Sequence, residues 1–269
     1  MMKIEFYKMS GAGNDFVLLF GKRYSTLNLK KLAIKLCARQ TSIGADGLLY
    51  IVKLSKDTIE MRYFNSDGSE AFCGNGARCS VWWASLNGII SKKEFKLKTI
   101  EGVLTAEVIA KEKIKIEMPV VKKVNLNYSG IYPASIKKLH FLNTGVPHAI
   151  VPVKNLKTLD VDSLGNQIRH NKVFGKKGTN VDFVFLKAGK IFVRTYERGV
   201  EAETLACGTG ITASAIAIAA IRDIKPPIVC IAKNGEKFKV WFDYKSLTQI
   251  SNIYLQGPAK QVFKGSVEI

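Results

Sequence analysis

The sequence lacks most of the features that would assign it to a class at once. No apolar run approaches the roughly 20 residues needed to cross a bilayer. The longest, near residues 211–221, reads as a buried helix. The opening MMKIEFYKMS carries charge where a signal peptide needs its apolar stretch, so a soluble cytoplasmic protein is expected. Histidine is scarce, with three scattered residues, and no Cys-x-x-Cys or Cys/His group has zinc spacing. No metal site is expected. The five cysteines (Cys37, Cys73, Cys79, Cys207 and Cys230) are an odd number without a secretion signal, which argues against a disulfide framework. Arginine is scarce too: it supplies 8 of the 41 basic residues behind a net charge of +19. Lysine spread along a chain reads as solvated surface; a nucleic-acid face concentrates Arg and Lys beside aromatics. A specific nucleic-acid partner is therefore not expected, although a basic nucleic-acid-binding protein stays open as an alternative class.

What the sequence has is a stretch written twice. Cys73-Gly74-Asn75-Gly76 and Cys207-Gly208-Thr209-Gly210 stand 134 residues apart, each leading into a helical run. Other blocks keep nearly the same offset. Gly145 answers Gly13, Gly178 answers Gly44, Arg194 and Glu197 answer Arg62 and Asn65, and Gly235 answers Gly102. Several blocks in one order at one offset indicate an internal duplication, with a period far too long for a solenoid. In the first copy, strands are expected at 4–9, 15–20, 48–52 and 59–64, and an amphipathic helix at 30–40 buries Cys37. A helix at 77–87 ends at Gly88, and hairpin strands follow over 95–118. Gly11-Ala12-Gly13 runs into a strand rather than a helix, so it lacks the context of a dinucleotide-binding turn. The join between copies is expected within 119–133.

Two equivalent thiols suit a particular chemistry. Inverting a stereocentre by proton transfer needs a base on one face of a planar carbanion and an acid on the other. Two similar domains can present the same residue from opposite sides, whereas a cysteine protease needs one nucleophile. N–H groups at the two helix starts can hold a carboxylate and take up developing charge. The helix dipole, at most about 2 kcal/mol, cannot alone bring a thiol far below neutrality from about 8.5. His148 and Glu197 are the candidates to help move the proton. A redox pair of facing thiols is the other reading of the two cysteines.

With those residues in view, the chain resembles the diaminopimelate epimerases over essentially its full length. The resemblance is carried by residues 8–16, 43–49, 65–79, 145–148, 178–183 and 196–212. It implies an α/β fold of two pseudo-symmetric domains, each a mixed twisted sheet or half-open barrel around a central helix, with the site in the cleft between them. The halves would be 1–119 with a returning strand 259–269, and 120–258. The resemblance implies a cofactor-independent isomerase acting on a small amino acid, usually as a homodimer. Cys73 and Cys207 would be acid and base. Gly74, Asn75, Gly208 and Thr209 would cradle the reacting carboxylate. Asn14, Asn65, Asn180, Glu197 and Arg198 would read the distal groups, and His148 and Glu197 would tune the thiols. Two departures stand out: Val146 replaces an Asn common before Pro-His, and Gly47 falls where a Gln ligand can occur. A related racemase of other specificity therefore remains a second candidate.

Overall fold

The computed structural model describes residues 2–130, 132–133 and 136–269; Ile131, within the expected join, lies outside them. The chain divides into two compact units, Met1–Glu117 with Gly257–Ile269, and Met118–Gln256. Each division falls two residues before the expected one. The fold is mixed α/β, built from one pattern used twice.

In the first unit, β1 (Lys3–Gly11) and β2 (Asn14–Phe20) form a hairpin, followed by α1 (Leu29–Cys37). Next come β3 (Gly47–Ser55), β4 (Thr58–Asn65), the short β5 (Glu70–Ala71) and α2 (Gly74–Leu86). β6 (Glu94–Thr99), β7 (Gly102–Ala110) and β8 (Lys113–Glu117) complete the series. β1 and β2 are antiparallel, β2 and β3 parallel, and β3 and β4 antiparallel. β4 then pairs with β5 antiparallel and with β6 parallel, and β6–β7–β8 form a meander. The glycines at 11 and 13 bracket the β1–β2 turn, with Ala12 and Gly13 at positive φ, so this stretch is a hairpin.

The second unit repeats the plan. β9 (Lys123–Asn125), β10 (His140–Asn143) and β11 (Pro147–Pro152) lead to α3 (Val161–Arg169). β12 (Asn180–Lys187), β13 (Lys190–Glu197), β14 (Ala202–Thr204) and α4 (Gly208–Arg222) follow. Then come β15 (Ile228–Ile231), β16 (Lys237–Ser246) and β17 (Gln249–Pro258). Pairing from β10 to β17 copies that from β1 to β8 sense for sense, including the parallel steps β11–β12 and β13–β15. β9 lies antiparallel to β10. In the first unit the same place beside β1 is filled by β18 (Lys260–Glu268), antiparallel over its whole length.

Helix α3 is absent from the sequence reading yet matches α1 residue for residue. Asn28 and Asp160 cap the two helices through side-chain oxygens that accept from the Lys31 and Ser163 amides, at 3.1 and 3.0 Å. Both helices bury one face, Leu29, Leu32, Ala33 and Leu36 in α1 and Val161, Gly165 and Ile168 in α3. α2 and α4 differ in kind. Two glycines, two tryptophans and Val81 make α2 a poor helix by propensity. It forms because strands β1–β4, β7, β8 and β18 enclose it, leaving residues 74–84 buried. α4 is enclosed in the same way by β10–β13, β15 and β16.

Candidate active site

Each cysteine occupies the N-cap of its unit's central helix. The helices begin earlier than the periodicity predicts, because the glycines form the first turn instead of preceding it. The first intrahelical bonds run from the Ala77 amide to the Cys73 carbonyl (2.8 Å) and from Ile211 to Cys207 (2.9 Å). The N–H groups of residues 74–76 and 208–210 therefore stand outside the helical ladder, at the positive end of each helix. The Gly76 amide donates to Cys73 Sγ at 3.4 Å. The capping bond thus places the Cys73 sulfur beside the very amides expected to hold a carboxylate, whereas the Cys207 side chain makes no capping bond of its own.

The turns that deliver the cysteines are pinned alike. Arg62 on β4 makes a two-pronged pair with Glu70 on β5, both contacts 2.8 Å, three residues before Cys73. Arg194 on β13 does the same to Glu203 on β14 at 2.6 and 2.7 Å, four residues before Cys207. Lys233 adds a third contact to Glu203 at 2.7 Å. These cations hold the buried Glu203 carboxyl below its ordinary range, against the opposing effect of burial.

The chain on either side of Cys73 is held by amides and a fixed charge. Arg78 is fully buried and donates to Asn75 Oδ1 at 2.6 Å. The Asn75 amide nitrogen reaches Asn14 Oδ1, and Asn14 Nδ2 donates to Asp46 at 2.9 Å. An obligate donor at one end and a carboxylate at the other fix which way both amides face. Asn65 accepts from the Tyr63 hydroxyl at 2.9 Å and donates to Ser69 Oγ at 3.0 Å. Gly47 has no room for a side chain: a Cβ there would lie 2.4 Å from the Tyr63 ring and 2.5 Å from the Phe64 carbonyl. A glutamine at this position is incompatible with this backbone.

Around Cys207 the partners are a hydroxyl, an imidazole and a carboxylate. Cys207 Sγ lies 3.4 Å from Thr209 Oγ1, which lies 2.9 Å from His148 Nε2. His148 Nδ1 is 2.7 Å from Asp182 Oδ2, with both side chains fully buried. Asp182 Oδ1 accepts from Thr195 at 2.7 Å. Burial drives the Cys207 thiol well above its ordinary pKa; the Glu197 and Asp182 carboxylates push the same way, and Thr209 opposes. Asn180 is buried, donating to the Pro147 carbonyl at 2.9 Å and accepting from the Arg198 amide at 2.8 Å. It thereby fixes the backbone from which the half-buried Arg198 extends. Burial and the neighbouring Arg169 lower the Arg198 pKa, and among the described residues its guanidinium has no ion pair. Cys37, Cys79 and Cys230 are core residues, as expected of the first two, and burial pushes Cys37 up to about 12.

Sequence reasoning missed Asp182, Thr195 and the Arg–Glu clamps. The signal for Asp182 was present: an acid inside the apolar run of β12 has to be paired if it is buried.

The comparisons agree with one another. The family model described as diaminopimelate epimerase matches residues 6–124 and 140–260. The diaminopimelate epimerase of Chlorobaculum tepidum is 38% identical, over 97% of this chain and 100% of its own length. That of Aquifex aeolicus is 36% identical, over 97% of each chain. Among solved structures, a PhzF-family phenazine biosynthesis protein of Bacillus anthracis superposes with a TM-score of 0.77 over 100% of both chains. A probable proline racemase of Agrobacterium radiobacter superposes at 0.73 over 99% of this chain and 93% of its own. Both are 16% identical and share the fold.

Proposed function

Because the chain belongs to the diaminopimelate epimerase family, we propose that it interconverts LL- and meso-diaminopimelate by moving one α-proton between two thiols. One of Cys73 and Cys207, as thiolate, removes the proton; the other, as thiol, returns a proton to the opposite face. The electron pair left at the α-carbon delocalises into its carboxylate, which the amides at the starts of α2 and α4 stabilise. The observation that carries this reading is that the two halves of a duplicated fold each present a cysteine as the cap of a buried central helix.

Recognition of the distal end is assigned to Asn14, Asn65, Asn180, Glu197 and Arg198. A half-buried guanidinium with no ion pair among the described residues is a ready partner for a second carboxylate. A homodimer accounts for strand β18, nearly all of whose residues are exposed, with Val262 at 51% and Phe263 at 49%. Among the described residues no helix is long and apolar enough to cross a membrane. A cytoplasmic setting would also keep the thiols reduced.

The test is α-proton exchange in heavy water across a panel of amino acids that includes both diaminopimelate isomers, with no cofactor added. Deuterium should appear at one α-carbon of diaminopimelate, and both Cys73→Ala and Cys207→Ala should abolish turnover. Full epimerisation by either variant would refute the two-thiol mechanism. Exchange of another amino acid alone would shift the specificity to a related racemase.

A further inference from the structure

Behind Cys207 the second unit holds an unbroken line of side chains, Cys207–Thr209–His148–Asp182, at successive separations of 3.4, 2.9 and 2.7 Å. Its direction follows from what each group can donate. A buried carboxylate facing Nδ1 accepts the imidazole proton there, leaving the Nε2 lone pair directed at Thr209. The Thr209 hydroxyl then donates to Nε2 and turns a lone pair toward the Cys207 thiol. Asp182 cannot swing away, since Thr195 holds its other oxygen at 2.7 Å.

We propose that the Thr209 hydroxyl links Cys207 to His148 for proton transfer, with Asp182 as the positioning residue that sets the direction of the link. In the forward step the Cys207 S–H proton passes to Thr209 Oγ1 as the Thr209 O–H proton passes to His148 Nε2. The S–H electron pair stays on sulfur as the thiolate, Thr209 ends neutral, and His148 becomes an imidazolium against the Asp182 carboxylate. The reverse step restores the thiol. The ionisable groups facing Cys207 are Asp182 from β12 and Glu197 from β13, with His148 from β11 acting through Thr209.

Among the described residues the first unit has no copy of this line. Its equivalent positions are Phe16 for His148, Leu49 for Asp182 and Asn75 for Thr209, and Phe16 and Leu49 are fully buried apolar residues. There the buried Arg78 supplies a permanent charge instead. The duplication has thus diverged: where the second half holds this line of side chains, the equivalent positions of the first are two apolar residues and an amide.

Such a line serves a particular moment. Each turnover leaves the two thiols with exchanged protonation, and Cys207, 8% exposed, must be reset before the next turnover in the same direction. A reset step follows product release, so slowing it lowers kcat and KM together and leaves kcat/KM unchanged.

This inference rests on the epimerase reading of Cys207, and the experiment separates the two. Thr209→Val keeps the shape and removes the hydroxyl; Thr209→Ser keeps the hydroxyl. Thr209→Val should lower kcat about 100-fold, the low end for a positioned proton transfer, with KM falling in parallel and kcat/KM held within about threefold. Thr209→Ser should recover kcat to within about tenfold of wild type. A raised KM at unchanged kcat would mean that Thr209 only shapes the carboxylate cradle, overturning the relay. Nitrogen NMR of the three histidines, without substrate, should find His148 as the Nδ1–H tautomer and lose that preference in Asp182→Asn. An Nε2–H tautomer in the wild type would overturn the direction. If the wild type exchanges no amino acid, the epimerase reading has failed, and peptide-mapped alkylation of Cys207 by iodoacetamide still judges the relay. Wild type and Thr209→Ser should then react faster than Thr209→Val, and equal rates for all three would refute it.

Discussion

Replacing Gly210 with alanine should be far more damaging than replacing Gly76, although the two glycines are equivalent members of the repeat. A Cβ on Gly210 would stand 2.2 Å from Asp182 Oδ1 and 2.9 Å from its Cγ. Asp182 is fully buried and held at 2.7 Å by both His148 and Thr195. Retreat breaks at least one hydrogen bond to a charged group, about 1.5–3 kcal/mol, and overpacking adds about 1–3 kcal/mol. Better helix propensity returns at most about 1 kcal/mol, leaving a net loss of roughly 1.5–5 kcal/mol on these terms. On Gly76 the one close contact of the Cβ would be Leu49 Cδ2 at 2.7 Å, the end of a rotatable side chain, with Cys73 at ordinary contact distance. That contact costs about 1 kcal/mol, nearly cancelled by the same propensity gain. At about 2–4 °C per kcal/mol for a chain of this size, Gly210→Ala should melt on the order of 10 °C below Gly76→Ala. Urea unfolding followed by circular dichroism, with the m-value as a check on the folded state, supplies the matching free energies. Equal stabilities would show that Asp182 yields, and with it the rigid backing attributed to His148.

Removing charge from the recognition site by Arg198→Met should raise KM about 10–100-fold, the loss of a charge-assisted contact of about 1.5–3 kcal/mol, with a smaller effect on kcat; an unchanged KM would place the distal carboxylate elsewhere. His140, buried, accepts from the Asn127 amide through Nδ1 at 3.0 Å, and burial lowers it from 6.5 to about 4. The unfolded chain therefore binds the extra proton first, so His140 contributes stability that is full above 6.5 and lost as pH falls toward 4. His140→Gln should flatten that part of a stability–pH curve, and an unchanged slope would contradict the assignment. Phe263→Lys, on the exposed strand β18, should convert a dimer to monomer in sedimentation at micromolar concentration; a dimer that survives uses another face.

The sequence made the duplication legible because its markers are backbone requirements. Glycines at turns and helix starts keep their offset whatever the side chains around them do. The strand series and the buried helix at 211–221 follow from the same periodicity. α3 passed unnoticed because its apolar positions, Val161, Leu164 and Ile168, are few and its remaining residues are polar; Asp160 and Ser163 were the cap signal to notice. The two helix starts were misplaced by a turn, since glycine argues against helix locally while burial of α2 and α4 decides the matter. At the site, a motif supplies the cysteines and the residues beside them in the chain. Partners that arrive across a sheet, Asp182 and Thr195 behind His148 or Glu203 on the strand beside Arg194, depend on strand register, and register is a tertiary fact.

Strand β18 has a consequence for how the molecule is made. The second unit is one continuous segment, complete once residue 256 has been synthesised. The first unit begins with β1 yet needs β18, added about 140 residues after β8, to cover the flank of its sheet. Domains generally mature in order of synthesis; here that order is inverted, and the half that begins the protein is the last that can be finished. Until then the outer edge of β1 offers unpaired backbone to any passing strand, a hazard that the second unit escapes by carrying β9 within its own segment.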